Sequence, residues 1–164
     1  MCLLLSKLQA PIQAALRPGV WLPGIRALHQ RYERWQSGES PYFCFDKVLF
    51  ALQIMETSDQ LEIYKVDREH LALQIFFYTK NCKWLDVVEL EFQAAPESGT
   101  FVSARSFSSG FLPAWIPFAF LLNMVCCFIP FFDLGENESR LERIREAADI
   151  GMTVNEWGSN SQPV

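Results

Sequence analysis

DVVELEFQAAPESGTFVSARSFSS, from Asp86 to Ser109, decides how the chain folds. Its first eight residues alternate, so a strand there puts Val88, Leu90 and Phe92 on one face and Val87, Glu89 and Glu91 on the other. Ala95, Pro96, Glu97, Ser98 and Gly99 have turn chemistry, and a second extended run starts at Thr100. Upstream, LEIYKV (Leu61 to Val66), a turn at Asp67 and Arg68, and LALQIFFYT (Leu71 to Thr79) form another such pair. Four consecutive strands joined by short turns predict an antiparallel meander.

Helical periodicity brackets the meander. Ser40 before Pro41 is an N-cap followed by a proline at the first helical position. Phe45, Val48, Leu49, Leu52 and Met55 then recur at helical spacing, predicting a helix from about Pro41 to Thr57. After the strands, DLGENESRLERIREAAD places Leu141, Ile144 and Ala148 on one stripe, with Glu136 four residues ahead of Arg140, and Gly151 stops the helix. Pro11, Pro18 and Pro23, with Gly19 and Gly24, break the first twenty-five residues into short pieces, and IRALHQRYERW from Ile25 offers one or two helical turns. The expected architecture is α+β: an antiparallel sheet of about four strands in a meander, helices packed on one face, and an apolar helical hairpin inserted at 111–132. Residues 1–39 form a basic N-terminal arm, 40–150 the domain, and 151–164 a mobile tail.

The 164 residues suffice for one domain with a sizeable core. Half of them are hydrophobic, high for a small soluble domain, so some apolar surface needs a partner or lipid. Residues 1–35 carry five basic side chains against one acid, leaving nine basic and eighteen acidic over the rest, a net of −9. An acidic body without interleaved basic and aromatic residues speaks against nucleic acid as a partner. Five cysteines with no C-x-x-C pair do not make a disulfide framework, which points to a reducing compartment. His29 and His70 lack ligand-spaced neighbours, so no metal site is expected, and no glycine-rich phosphate loop calls for a nucleotide cofactor. MCLLLSK at the N-terminus lacks the features of a secretory signal.

The stretch FLPAWIPFAFLLNMVCCFIPFF, Phe111 to Phe132, has twenty-two residues and no charge. One straight helix of that length rises about 33 Å, enough to cross a hydrocarbon core of about 30 Å. Pro113, Pro117 and Pro130 instead favour a helix from Pro117 to Phe128, about 18 Å long. Aromatics sit at both ends of the stretch, as at a membrane interface.

Trp84, Leu85 and Asp86, then Arg105, Ser106, Phe107, Ser108, Ser109 and Gly110, then Asp133, Leu134, Gly135, Glu136, Asn137 and Arg140 carry a resemblance. In order they resemble the signatures of a bacterial and plastid family, the domain of unknown function 1499: an aromatic and an Asp before the third strand, R-S-x-S-R-x-G, and D-x-G-x-N leading into a basic helix. The chain departs from the pattern twice. Ser109 stands where the second arginine of the family occurs, and the apolar stretch separates two signatures that nearly abut in the family. The resemblance implies that Asp86, Arg105, Ser106, Ser108, Asp133 and Asn137 converge at the base of the insertion, whose ends lie close together. In a structural role, Asp133 and Asn137 cap the last helix and Arg105 pairs with Asp86 or Asp133.

The leading functional expectation is a non-catalytic, monotopic membrane-associated protein or accessory subunit, anchored through the apolar hairpin and facing a reducing compartment. Phe111, Trp115, Phe118, Leu121, Leu122, Phe128 and Phe131 would contact membrane or lipid. Its partners are a membrane surface or lipid, or a larger membrane protein complex. The first alternative is a lipid-binding module whose sheet and first helix form a cup, with the apolar segment as lid. The second is a hydrolase-like enzyme centred on Arg105, Ser108 and Asp133. Against it, SFSSGF is not a G-x-S-x-G nucleophile elbow.

Overall fold

The computed structural model of the chain describes residues 2–15, 30–58, 61–78, 84–108, 112–113, 116–125 and 135–155. Its elements are α1 (Cys2–Ala15), β1 (Gln30–Ser37), α2 (Pro41–Ser58), β2 (Leu61–Asp67), β3 (Ala72–Tyr78), β4 (Leu85–Ala94), β5 (Thr100–Ser108), α3 (Ala119–Val125), α4 (Glu136–Ala148) and β6 (Thr153–Asn155). All strand pairs are antiparallel, in the order β2-β3-β4-β5-β1-β6.

The meander from β2 to β5 is the one read from the sequence, but the sheet has six strands rather than about four. The two additions come from the segments expected to be arm and tail. β1 pairs with β5 from Gln30↔Phe107 to Ser37↔Thr100, and β6 pairs with β1 from Arg34↔Asn155 to Gln36↔Thr153. QRYERWQS alternates, but Arg31 and Glu33 occupy inward positions beside Trp35, and so the pattern did not read as a half-buried strand. Inward charge is tolerable only because partners from a distant helix meet it, as described below.

The sheet is covered on both faces, not one. On the first face, α2 and α4 lie over Trp35, Leu73, Ile75, Phe77, Val88, Leu90, Phe92, Val102 and Ala104. Phe45 meets Phe92 edge-on at 5.6 Å. The 18-residue α2, about 27 Å long, carries the chain from β1 across the sheet to its far edge at β2. Ser40 caps it as expected, its hydroxyl accepting from Phe43 N at 3.4 Å, while Cys44 N donates to Ser40 O at 3.0 Å.

On the second face, Ala10 and Ala14 of α1 pack on Phe76, Leu85, Val87 and Phe107. The alternation of β4 thus feeds two cores, Val88 into the first and Val87 into the second. α1 runs through Pro11, where the prolines predicted a break. Its small residues Ala10 and Ala14 let the backbone lie close to the sheet, and that packing outweighs the loss of one hydrogen bond within the helix.

The β2–β3 turn is held by Asp67, whose Oδ1 accepts from His70 N at 3.0 Å with the His70 Nδ1 at 3.1 Å. The backbone N–H of His70, with its side chain in support, holds the Asp67 carboxyl below the usual aspartate range. The folded chain therefore favours the carboxylate. The resulting stabilisation is present at and above the ordinary aspartate value and is lost as pH falls through the lowered one. An NMR titration of the Asp67 side chain is expected to show a midpoint below that of an unfolded aspartate.

Candidate functional site

Two surfaces answer to the residues singled out in the sequence: a polar corner under the start of α4, and an apolar pair formed by α1 and α3.

The corner arises from register. Asp86 pairs with Ser108 across β4 and β5 and with Phe77 across β4 and β3, so all three project from the first face in one row. Ser106 lies one step in, opposite Val88. Above them the inward stripe of α4 runs Asn137, Arg140, Leu141, Ile144 and Ala148. Its apolar part covers the core, and its polar first turn meets the polar end of the sheet. Ser106 Oγ donates to Asn137 Oδ1 at 2.7 Å, and Asn137 Nδ2 donates to Ser108 Oγ at 3.5 Å. The side chains flanking the apolar stretch thus meet across it. Arg140 Nη2 reaches Asp86 Oδ2 at 2.8 Å with both side chains buried, and Glu136 Oε2 at 3.6 Å. The guanidinium sits over the Phe77 ring, 5.9 Å from its centroid.

Arg105 does not belong to this corner. As an odd-numbered neighbour of Ser106 it points to the second face, where Nε and Nη2 donate to Gln30 Oε1 at 2.9 and 2.7 Å and Nη1 lies 4.0 Å from Glu89. The pairing expected for Arg105 with Asp86 is made by Arg140 instead. Nor does Asn137 cap α4: Gly135 is the N-cap residue, left-handed at φ 80°, with no side-chain cap hydrogen bond. Asp133 lies outside the described residues.

A second buried charge sits beside the corner. Glu33 Oε2 accepts from Trp35 Nε1 at 2.7 Å and from Arg145 Nη1 at 3.1 Å, while Arg31 lies 3.6 Å from the same carboxylate and 3.2 Å from Glu138. These links tie β1 to α4. For the α4 side of the polar corner the sequence offered a signal: extending the Leu141, Ile144, Ala148 stripe back from Ile144 by four and seven residues lands on Arg140 and Asn137. Nothing local identified Glu33 as inward.

The chemistry available at the corner is that of packed groups engaged with one another, Asp86 with Arg140 and the two serines with Asn137. Ser108 meets the amide of Asn137, and His70 sits on the β2–β3 turn with Asp67. Among the described residues no cluster of three or more His, Cys, Asp or Glu side chains has the arrangement of a metal site.

The apolar pair has a different character. α3 is tied back by Asn123, buried, whose Oδ1 accepts from Leu112 N at 2.6 Å and whose Nδ2 donates to Leu112 O at 3.1 Å. α1 touches α3, and Gln9 Nε2 donates to Ile116 O at 3.0 Å. With Gln9 and Asn123 turned inward, apolar side chains remain outside: Leu8 and Ile12 on α1, Leu121, Leu122 and Val125 on α3, and Phe118 just before it. Phe118 is 66% exposed and has φ 61°, a conformation that bulky residues rarely adopt. Phe111, Trp115, Phe128 and Phe131 lie outside the described residues. No described helix is long and apolar enough to cross a membrane.

An open depression of about 290 Å³ on the second face is lined by Lys65, Asp67, Ala72, Leu73, Gln74, Glu89, Leu90 and Glu91. Five of these eight, Lys65, Asp67, Gln74, Glu89 and Glu91, are charged or amide side chains, with Lys65 3.6 Å from Asp67, so this depression is not the apolar cup expected of a lipid carrier. A scan of protein-family models and a search of curated proteins both return no match to the chain.

Proposed function

We propose that the chain is a monotopic membrane-associated protein, or a membrane-associated accessory subunit, that holds to one leaflet through an apolar helical hairpin built around α3 with α1 beside it. The observation that carries this reading is the outward stripe of α3. Leu121, Leu122 and Val125 lie on one side of α3 and Phe118 immediately precedes the helix, all four are exposed, and α3 carries no charged residue. Leu8 and Ile12 add a second stripe on the touching helix. Soluble monomers seldom leave so many large apolar side chains together in water.

Three further features support it. The ties Asn123–Leu112 and Asn137–Ser108 suit an excursion that leaves and returns at the same end of the sheet. A short helix satisfies its own backbone groups inside a leaflet. α1 belongs to the basic first 35 residues, which favours anionic headgroups. In this reading the domain body keeps its resemblance to the domain of unknown function 1499 family, the hairpin is the addition between the two polar signatures, and the protein faces a reducing compartment.

Flotation with phosphatidylcholine vesicles containing phosphatidylserine tests the proposal. The full chain is expected to rise with the vesicles. The variant Phe118→Ser, Leu121→Ser, Leu122→Ser is expected to bind about a hundredfold or more weakly, since each side chain brings roughly 1–2 kcal/mol of apolar transfer. Its circular dichroism should stay unchanged, because all three residues are already exposed. A wild-type chain that remains with the soluble fraction, or a folded variant that floats equally well, overturns the reading.

A further inference from the structure

The helix α2 has a second apolar side that takes no part in the cores formed by the described residues. One side, Phe45, Val48, Leu49, Leu52 and Met55, is buried on the sheet and α4. The opposite side exposes Tyr42, Phe43, Phe50 and Ile54, with Asp46 and Lys47 between them. A helix that is apolar on both sides is normally covered on both. The exposed set amounts to roughly 400–500 Å² of side-chain surface, large for a monomer that keeps it in water.

The membrane proposed above cannot be the cover. α2 lies on the first face of the sheet and the α1–α3 pair on the second, so a single flat leaflet that receives one leaves the other pointing away. The occupant is therefore protein, and the sequence of the stripe indicates which. A two-fold axis crossing α2 between Asp46 and Lys47 brings residue 43 of one copy against residue 50 of the other, and 46 against 47. Phe43 then stacks on the second copy's Phe50, and Asp46 meets the second copy's Lys47, each contact occurring twice. Lys47 already lies over the Phe43 ring at 5.6 Å, and Asp46 already holds Arg68 at 3.0 Å, so the central charges stand at the edges of the aromatic pair. Both copies together would bury about 1,000 Å² through α2 alone, the lower end for a specific interface and suited to a reversible dimer.

We propose that α2 is the interface of a homodimer, packed antiparallel on its copy about an axis between Asp46 and Lys47. The dimer presents its two α1–α3 pairs on its outer sides. The interface does not depend on the membrane reading, because it uses none of the same residues.

Sedimentation of the full chain tests it, carried out on the Phe118→Ser, Leu121→Ser, Leu122→Ser background so that the other apolar surface does not drive association. A reversible species of twice the chain mass is expected at micromolar concentration. Phe50→Glu should weaken it by about a hundredfold or more, since the substitution falls on both copies at the centre of the interface. Lys47→Asp sets like charges against each other across the axis and should weaken it several-fold, whereas Lys47→Asp with Asp46→Lys restores opposite pairs and should recover it. That recovery requires a two-fold partner and would not follow from a general change in stickiness. A chain that stays monomeric up to roughly 100 µM, a dimer unaffected by Phe50→Glu, or a double charge exchange that fails to rescue would each overturn the proposal. Circular dichroism of every variant checks the fold, which these exposed positions should leave intact.

Discussion

Replacing Arg140 with alanine is expected to lower the free energy of unfolding by about 3–5 kcal/mol. The Asp86 carboxylate sits at the sheet end with Arg140 Nη2 at 2.8 Å, and both residues are less than 10% exposed. Removing the guanidinium leaves a buried negative charge without its counter-ion and opens a gap between α4 and Phe77. In a domain whose total stability is of the order of 10 kcal/mol, that loss is large. The double variant Asp86→Leu, Arg140→Met is expected to recover most of it, because neither charge then has to be desolvated. The buried Arg140 Nη1, which finds no hydrogen-bond partner among the described residues, adds to the desolvation that the double variant avoids. Urea unfolding of the three proteins checks this. Equal losses in the single and double variants would show that the corner acts through shape and not through charge.

Gly99→Ala is expected to cost about 3–5 kcal/mol, for two separable reasons. Gly99 closes the β4–β5 turn at φ 88°, a conformation that disfavours any side chain, and its carbonyl accepts from Ala95 N at 3.0 Å. A Cβ there would also overlap the Ser37 carbonyl oxygen and crowd Gly38. Both are backbone atoms at the β1–α2 junction. That junction is fixed in turn by Thr100 Oγ1 donating to Glu39 O at 2.7 Å, so it cannot easily withdraw. Gly135→Ala provides the contrast. Its φ of 80° carries the same backbone strain, but no atom of the described residues lies within 4 Å of the added carbon, and a loss of about 1–2 kcal/mol is expected. Thermal unfolding of the pair separates strain from collision. A Gly99→Ala protein no less stable than Gly135→Ala would rule out the collision.

The corner and the Gly99 contact share a consequence for the proposed function. Both fasten the frame from which the apolar elements project: α4 to the sheet end, and the β4–β5 turn to the start of α2. The two exposed apolar surfaces need such a frame, because side chains that await lipid or a second copy contribute nothing to the isolated fold. The stability must come from elsewhere, and here it comes from two cores on opposite faces of one sheet.

By itself the sequence determined whatever depends on local pattern. The meander β2–β5 followed from period-two alternation and turn residues, α2 from its Ser-Pro start and helical stripe, and the apolar face of α4 from Leu141, Ile144 and Ala148. Such signals survive in one dimension because each strand or helix repeats its own burial pattern. Only the tertiary structure decided what rests on meetings between distant segments. β1 became an inner strand of the sheet because its inward Glu33 finds Trp35 and the far-off Arg145, and Arg140 took Asp86 because the helix stripe continues into polar residues. Arg105 went to the other face because neighbours along a strand point apart. A charge placed in a core looks like a mistake until its partner arrives from more than a hundred residues away. The exposure of α3 and of the outer side of α2 was likewise undecidable locally, since an apolar helix reads the same whether its own chain, a bilayer or a second copy is to cover it.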